Sequence, residues 1–193
     1  MESIDAALNF IVFALTLVII IICFREDGKW NIRRGRYALR YFTIQSNILC
    51  AAAAFLMCFS RGSFSWFLKY TGTAAVTVTM LTVFLFLAPS MGGLAPLMKG
   101  KELFLHLVTP LLALFSFCVF EKRGLSFGQS LLGILPVALY GSLYLYKIRY
   151  APEEKRWKDF YGFNKSGKWP VAFACMGLGT FLICMGLMAL QNC

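Results

Sequence analysis

The stretch RYFTIQSNILCAAAAFLMCFS (residues 40–60) combines a basic residue, a short polar segment and a long apolar run. Its apolar part approaches the roughly 20 helical residues that cross about 30 Å of hydrocarbon at 1.5 Å per residue. The stretch therefore predicts a membrane-spanning helix that begins beside a basic connector. Its first turn is unusual for such a helix, because it contains four polar side chains, Thr43, Gln45, Ser46 and Asn47.

Five further apolar stretches of similar length occur in the 193-residue chain, which is 59% hydrophobic and has a mean hydropathy of +0.69. Such values exclude a disordered chain and argue against an ordinary soluble domain. Because the connectors are short, we expect one all-α domain over residues 1–193, a bundle of six transmembrane helices. The first stretch lacks the basic segment and cleavage site of a signal peptide, so we predict a true span there. The predicted spans are residues 5–24, 41–60, 71–92, 104–120, 129–147 and 171–193.

The net charge of +10 is distributed unevenly among the connectors. Of the 19 Lys and Arg residues, 15 lie in or beside connectors 25–40, 93–103 and 147–170. The positive-inside rule then predicts that these three connectors are cytoplasmic and that both termini are outside. Anionic lipid head groups are the expected partners of this charge, and nucleic acid is not. The other four basic residues are assigned to the opposite face: Arg61, Lys69, Lys122 and Arg123.

Acidic and metal-binding residue types narrow the function classes further. The acidic side chains lie near the predicted membrane interfaces, which argues against a proton-coupled transporter. The seven cysteines form no C-x-x-C pair and are expected to pack as small hydrophobes, while a single histidine excludes a bis-His haem. We therefore expect neither a metal site nor a cofactor.

A second polar group occurs in LFLHLVTP (residues 103–110), which contains the only histidine, His106. Pro110 has no amide hydrogen, so the carbonyl of His106 loses its helical partner and a kink is expected there. The second and fourth spans both begin at the basic face, which places Thr43 and His106 at similar depth. The two side chains can meet if these helices pack together.

Such a pair has a specific chemistry. A neutral imidazole can take the proton of a threonine hydroxyl, which then attacks an ester carbonyl. Ser46, Asn47 or Gln45 would supply donors to the oxyanion. Arg40, three residues before Thr43, is the nearest cation. The residue types alone leave ordinary structural roles open for all of these, namely helix–helix hydrogen bonds for Thr and Asn and an interfacial position for Arg and His.

Two further parts of the predicted site have no clear assignment. No acid is placed to orient the imidazole, because Glu102, one turn before His106, is expected to face the interface. Tyr140 and Tyr144 lie one turn apart in the fifth span, where they either pack against neighbours or reach the same pocket, and we favour packing.

The motifs YFTIQSNIL and FLHLVTPLLALFSFCVFEKRG, followed by a Tyr-rich fifth span, resemble the androgen-induced-gene / androgen-dependent TFPI-regulating protein family. The resemblance extends in order and spacing over nearly the whole chain and is strongest to short bacterial-type members. Animal members are intramembrane threonine hydrolases that act on fatty acid esters of hydroxy fatty acids. The resemblance thus implies Thr43 as nucleophile, His106 as its base and a location in the bacterial cytoplasmic membrane. Because such a substrate carries a carboxylate, Arg40 is expected to bind it. The connector segment WKDFYGF (residues 157–163) departs from the Pro-rich aromatic turn expected in the family.

The sequence is therefore interpreted as a threonine esterase acting on a lipid substrate within the bilayer. The alternative is a non-catalytic membrane protein that binds or transports a small lipid or other ligand in the same polar pocket. A rhomboid-type protease fits less well, because the chain has no Gly-x-Ser-Gly motif.

Overall fold

The computed structural model describes residues 2–90 and 92–193; Met1 and Met91, which fall within predicted ranges, lie outside the described residues. The described chain is mainly helical, and it confirms an all-α bundle with six apolar helices long enough to cross a membrane. A seventh helix is too short to span. The helices are α1 (Glu2–Cys23), α2 (Ile32–Ala38), α3 (Phe42–Phe59), α4 (Ser63–Leu87), α5 (Lys101–Phe120), α6 (Phe127–Tyr150) and α7 (Trp169–Asn192).

The first basic connector contains a small antiparallel ribbon of β1 (Arg25–Glu26) and β2 (Lys29–Trp30). Asp27 and Gly28 close its turn with positive φ angles of 49° and 76°. Asn31 then caps α2, because its side-chain oxygen accepts a hydrogen bond from the Arg34 N–H at 3.0 Å.

Side-chain contacts bring all three basic connectors to one face of the bundle, called the basic face below. The guanidinium of Arg40 lies 5.6 Å from the ring centroid of Trp157, which joins the first connector to the third. The ammonium of Lys101 lies 3.5 Å from the sulfur of Cys23, which joins the second connector to the end of α1.

Helix α4 is the central helix of the bundle, and α7 is the most peripheral. In the most apolar window of each helix, 67% of the α4 residues are buried but only 17% of the α7 residues. Small residues let α3 approach α4 closely, since a Cβ atom added to Gly72 would lie 2.8 Å from the Cα of Cys50. Ala53 and Ala54 of α3 are also fully buried, because their small side chains let neighbouring helices pack closely.

A buried polar network joins α1, α4 and α5 near the face opposite the basic one. The fully buried ammonium of Lys69 donates to the side-chain oxygen of Asn9 and lies 3.6 Å from Glu121 Oε1. The Asn9 amide donates to Glu121 Oε1 at 2.7 Å and to Asp5 Oδ1 at 3.2 Å. Ser116 Oγ lies 3.0 Å from the same two carboxylate oxygens.

This network corrects the assignment of Lys69 to a connector. The third span was predicted to begin at residue 71, but α4 begins at Ser63 and carries Lys69 in its second turn. A buried ammonium is tolerated there because it lies among the carboxylates of Asp5 and Glu121 and a side-chain amide. Arg61 also contributes, since its Nη2 lies 3.1 Å from Asp5 Oδ2.

Replacing Lys69 by methionine is predicted to destabilise the bundle by about 3–5 kcal/mol, because Glu121 would stay buried without its cation. Thermal unfolding of the purified protein in detergent measures this. The double variant Lys69→Met/Glu121→Gln is expected to recover part of the loss. The control Lys122→Met, at an exposed neighbouring position, should unfold like the wild type. If Lys69→Met unfolded at the same temperature as Lys122→Met, the role assigned to the network would be wrong.

Candidate functional site

The backbone around His106 departs from regular α-helix. Residues Phe104–Val108 form a π-helical turn, in which the N–H of Thr109 bonds to the carbonyl of Phe104. In this register the carbonyl of Leu105 would accept from residue 110, which is a proline and has no N–H. The predicted distortion near Pro110 is therefore present as a wide turn, and it leaves the Leu105 carbonyl in need of a donor.

Asn47 of α3 supplies that donor. Its amide nitrogen donates to the Leu105 carbonyl at 3.2 Å and to the Thr43 carbonyl, one turn back on α3, at 2.7 Å. Asn47 is fully buried, and its Oδ1 has no hydrogen-bond partner among the described residues. The amide thus ties the start of α3 to the start of α5, which are the two helix ends that carry Thr43 and His106.

His106 is buried and held by a backbone carbonyl that the sequence did not indicate. Its Nδ1 lies 2.9 Å from the carbonyl of Leu97, in the 3₁₀ turn Ala95–Met98. A carbonyl only accepts, so Nδ1 carries the proton and Nε2 of the neutral ring is the basic nitrogen. Nε2 lies 3.6 Å from Glu102 Oε2, which would pair with the ring in its charged form. The Glu102 side chain, which was expected at the membrane interface, is partly exposed.

Thr43 lines a cavity of about 170 Å³ between α3, α4, α6 and α7 near the basic face. The polar lining comes mainly from Thr43, from two threonines of α4, Thr79 and Thr82, and from Tyr140 and Tyr161. Most other lining side chains are apolar, so the cavity combines a few hydroxyl groups with an apolar wall. They include Phe42, Val83, Ile134, Val137, Phe173 and Met176.

The connector between α6 and α7 closes this cavity at the basic face. Tyr161 reaches the start of α3, where its hydroxyl oxygen accepts the Phe42 N–H at 2.9 Å. Burial raises the pKa of Tyr161, against the opposing effect of its hydrogen bonds with Phe42, Tyr140 and Thr43. The phenol is therefore neutral at physiological pH and keeps a proton that it can donate.

Asp159 organises this connector. Its carboxylate accepts the hydroxyl of Tyr144 at 2.8 Å and the N–H groups of Phe163 and Asn164 at 3.0 and 2.7 Å. The hydroxyl of Tyr144 also accepts the N–H of Tyr161 at 3.0 Å. The segment that departed from the family pattern thus forms a fixed cover over Thr43. Sequence reasoning noted the segment but did not assign Tyr161 to the site.

The remaining predicted donors are engaged elsewhere. Ser46 Oγ lies 2.8 Å from Thr79 Oγ1 and donates to the Thr43 carbonyl at 3.1 Å, so it joins α3 to α4. The Gln45 amide donates to the Leu39 carbonyl at 2.8 Å, which holds the turn before α3. In the described chain neither residue lines the cavity that contains Thr43.

Arg40 and the two tyrosines of α6, Tyr140 and Tyr144, lie near the basic face, and of these three only Tyr140 lines the cavity. The guanidinium of Arg40 stacks on Tyr37 and Trp157, with 5.2 and 5.6 Å to the ring centroids. Tyr140 donates its hydroxyl to the Arg40 carbonyl at 2.7 Å and also lines the cavity. Tyr144 is fully buried and packs, as favoured from the sequence.

Thr43 and His106 lie at the same end of adjacent helices, but no hydrogen bond joins them within residues 2–90 and 92–193. Two links connect their surroundings. Asn47 bonds both to the Thr43 carbonyl and to the carbonyl beside His106. Val83 lines the cavity and packs with Leu97, whose carbonyl holds the imidazole. His106 itself is not among the residues that line the cavity.

The described residues contain no group of three His, Cys, Asp or Glu side chains that could hold a metal ion. Comparison of the chain with protein-family models, with curated proteins and with solved structures found no match. The family resemblance therefore stays a prediction that depends on the quoted motifs. The geometry of Thr43, His106 and Tyr161 is the basis on which a function can be argued.

Proposed function

We propose that this protein is an intramembrane lipid ester hydrolase in which Thr43 is the nucleophile and His106 the general base. The observation that carries the proposal is the position of Thr43, in a largely apolar cavity beside a neutral phenol and one helix away from a buried imidazole. Both the nucleophile and the substrate of such an enzyme need a site from which bulk water is excluded.

Acylation begins when Thr43 Oγ1 attacks the ester carbonyl carbon and its proton passes to His106 Nε2. The bond to the alkoxy oxygen then breaks, and that oxygen takes the proton from Nε2 and leaves as the alcohol. Water attacks the resulting threonyl ester and gives a proton to His106. The bond between the acyl carbon and Thr43 Oγ1 then breaks, and His106 returns its proton to Oγ1. The free fatty acid is released.

This chemistry requires His106 Nε2 to come within hydrogen-bond reach of the Thr43 hydroxyl. Catalytic hydrogen bonds are often long in ligand-free enzymes and tighten when the substrate binds. The Nδ1–H bond to Leu97 fixes the tautomer that such a base needs. Glu102, whose carboxylate lies 3.6 Å from Nε2, would favour the positive charge of the imidazolium that forms after proton transfer.

Tyr161 is the best-placed donor to the oxyanion. Its oxygen accepts the Phe42 N–H, and its own O–H would turn from Tyr140 to a negative charge that develops beside Thr43. Asn47 has both amide hydrogens engaged with backbone carbonyls, and Ser46 donates to the Thr43 carbonyl. In this proposal, those two residues support the site and do not contact the oxyanion.

The proposed substrate class is fatty acid esters of hydroxy fatty acids or similar acyl esters. Such an ester carries a carboxylate at one end of an otherwise apolar molecule. Arg40, whose backbone carbonyl bonds to Tyr140 at the cavity, is the proposed partner of that carboxylate. Among the described residues no acidic side chain forms an ion pair with Arg40, so its charge is available.

The second candidate function is non-catalytic binding or transport of a small lipid in the same cavity. It is favoured by the small volume of the cavity, about 170 Å³, and by the separation of Thr43 from the imidazole. A protein that only binds lipid needs no activated hydroxyl. It is therefore expected not to react with an electrophile such as a fluorophosphonate, whereas an esterase reacts.

Hydrolysis of a fatty acid ester of a hydroxy fatty acid by the purified protein tests the proposal. Thr43→Ala and His106→Ala are each expected to lower kcat by about 10³-fold or more, because nucleophile and base act as a unit. Thr71→Ala is the matched control, since within the described residues that hydroxyl bonds to the Leu68 carbonyl of its own helix, at 2.9 Å, and to no other group. A fluorophosphonate should label the wild type and Thr43→Ser but not Thr43→Ala.

Wild-type activity in Thr43→Ala would contradict the proposed nucleophile. Absence of both turnover and fluorophosphonate labelling in a well-folded wild type would contradict the esterase and favour the binding candidate. Thermal unfolding curves of all variants, measured in the same detergent, establish that they are folded.

Tyr161→Phe is predicted to lower kcat by about 10²-fold with little change in KM, because the phenol donates mainly to the transition state. Steady-state kinetics with the same ester measure both constants. Tyr37→Phe is the control, since Tyr37 is exposed and its hydroxyl lies 3.4 Å from that of Tyr41. If both variants kept wild-type kcat, Tyr161 would have only a packing role.

We further propose that the protein lies in a bacterial cytoplasmic membrane with its basic face in the cytoplasm and both termini outside. Fifteen of the 19 basic residues support this orientation. Cys193 is exposed at the end of the chain, so a membrane-impermeant maleimide should label it on intact cells. The Cys193→Ser variant is the control for labelling at other cysteines. Labelling of Cys193 only after the cells are opened would reverse the orientation.

A further inference from the structure

A second cavity, of about 510 Å³, lies along the bilayer-facing side of the bundle between α4 and α7. Thr82 and Met176 line both this cavity and the one that contains Thr43. The two spaces are therefore neighbours that share these walls. The second space, called the α4–α7 groove below, adjoins the cavity of Thr43 at these two residues.

Two glycines form the floor of the α4–α7 groove. A Cβ atom added to Gly179 or to Gly186 would meet no other atom within 4 Å, so the missing side chains leave open space. The neighbouring side chains Leu182 and Leu190 are 59% and 50% exposed. The groove is thus open towards the hydrocarbon of the bilayer.

The groove offers almost no hydrogen-bonding group to a ligand. The hydroxyls of Thr77 and Thr180 donate to carbonyls of their own helices, each at 2.7 Å. Most other lining side chains are Leu, Ile, Val, Met or Phe. A ligand that fits this lining is an apolar chain without polar substituents.

The length of the groove matches such a chain. Its lining on α7 extends from Cys175 to Leu190, which corresponds to about 22 Å along a helix. One leaflet of a bilayer is about 15 Å of hydrocarbon, half of the roughly 30 Å core, so the groove is long enough for a whole acyl chain. Because α7 crosses the bundle from the basic face, a chain in the groove would lie along the acyl chains of the surrounding lipid.

We infer that the α4–α7 groove binds one unbranched acyl chain of the substrate, with the ester carbonyl at Thr43. The substrate then reaches the active site sideways from the bilayer, and its chain lies against Thr82 and Met176 where the two cavities adjoin. The placement of the ester carbonyl at Thr43 rests on the proposed function. Binding of the acyl chain in the α4–α7 groove does not depend on it.

Photocrosslinking with palmitic acid that carries a diazirine on its chain tests this site without any hydrolysis. The probe is added to purified protein in detergent micelles, and labelled peptides are mapped by mass spectrometry in the wild type and in Thr43→Ala. Labels are expected on the groove-lining parts of α4 and α7 in both proteins, and an excess of unlabelled palmitic acid should remove them.

Gly179→Leu should fill the groove and lower this labelling at least about tenfold. Gly128→Leu is the matched control, since that glycine is exposed at the start of α6 and also has no atom within 4 Å of an added Cβ. Labelling that is spread over all bilayer-facing helices, or that neither competitor nor Gly179→Leu changes, would overturn the inference. A change of oligomeric state in Gly179→Leu, measured by light scattering, would also overturn it, because the groove would then be a contact between copies.

A kinetic experiment separates this inference from the proposed function. Gly179→Leu is expected to lower kcat/KM for a hexadecanoyl ester about tenfold and to leave that for a butanoyl ester unchanged. Equal losses for both esters would contradict an acyl-chain site. Competed labelling of the groove without hydrolysis of either ester by the wild type would retain the chain site and reject the esterase.

Discussion

The buried ammonium of Lys69 illustrates the constraint on which the whole structure depends: hydrocarbon offers polar groups no water, so the protein must satisfy them itself. Lys69 lies among Asn9, Glu121 and Asp5, and these contacts hold α1, α4 and the end of α5 together. Helix α4 is thereby placed at the centre of the bundle. Its other end then contributes Thr79 and Thr82 to the cavity around Thr43.

The same constraint explains the polar start of α3. Pro110 leaves the Leu105 carbonyl without a helical donor, and the Asn47 amide supplies one. Ser46 pairs with Thr79, and Gln45 with a carbonyl before the helix. Thr43 is the one polar side chain of the four that lines the cavity. Its neighbours in sequence thus hold the helices in place, and Thr43 is available for chemistry.

The cover of the site comes from a segment that has no membrane-spanning character. Asp159 binds two backbone amides and the hydroxyl of Tyr144, which fixes the connector against α6. Tyr161 then reaches Phe42 and Thr43 from above the membrane face. An esterase built in this way would take a carboxylate from the basic face and an acyl chain from the bilayer, which matches the two ends of the proposed substrate.

The sequence by itself determined the six apolar helices and the common face of the basic connectors, because span length and charge position are local properties. It also indicated that Thr43 and His106 start their helices at the same face. Only the tertiary structure decided that Lys69 is buried, that the Leu97 carbonyl orients His106 and that Tyr161 covers Thr43. Each of these depends on a contact between distant parts of the chain, and a backbone carbonyl or a buried ion pair leaves no periodic signal in the sequence.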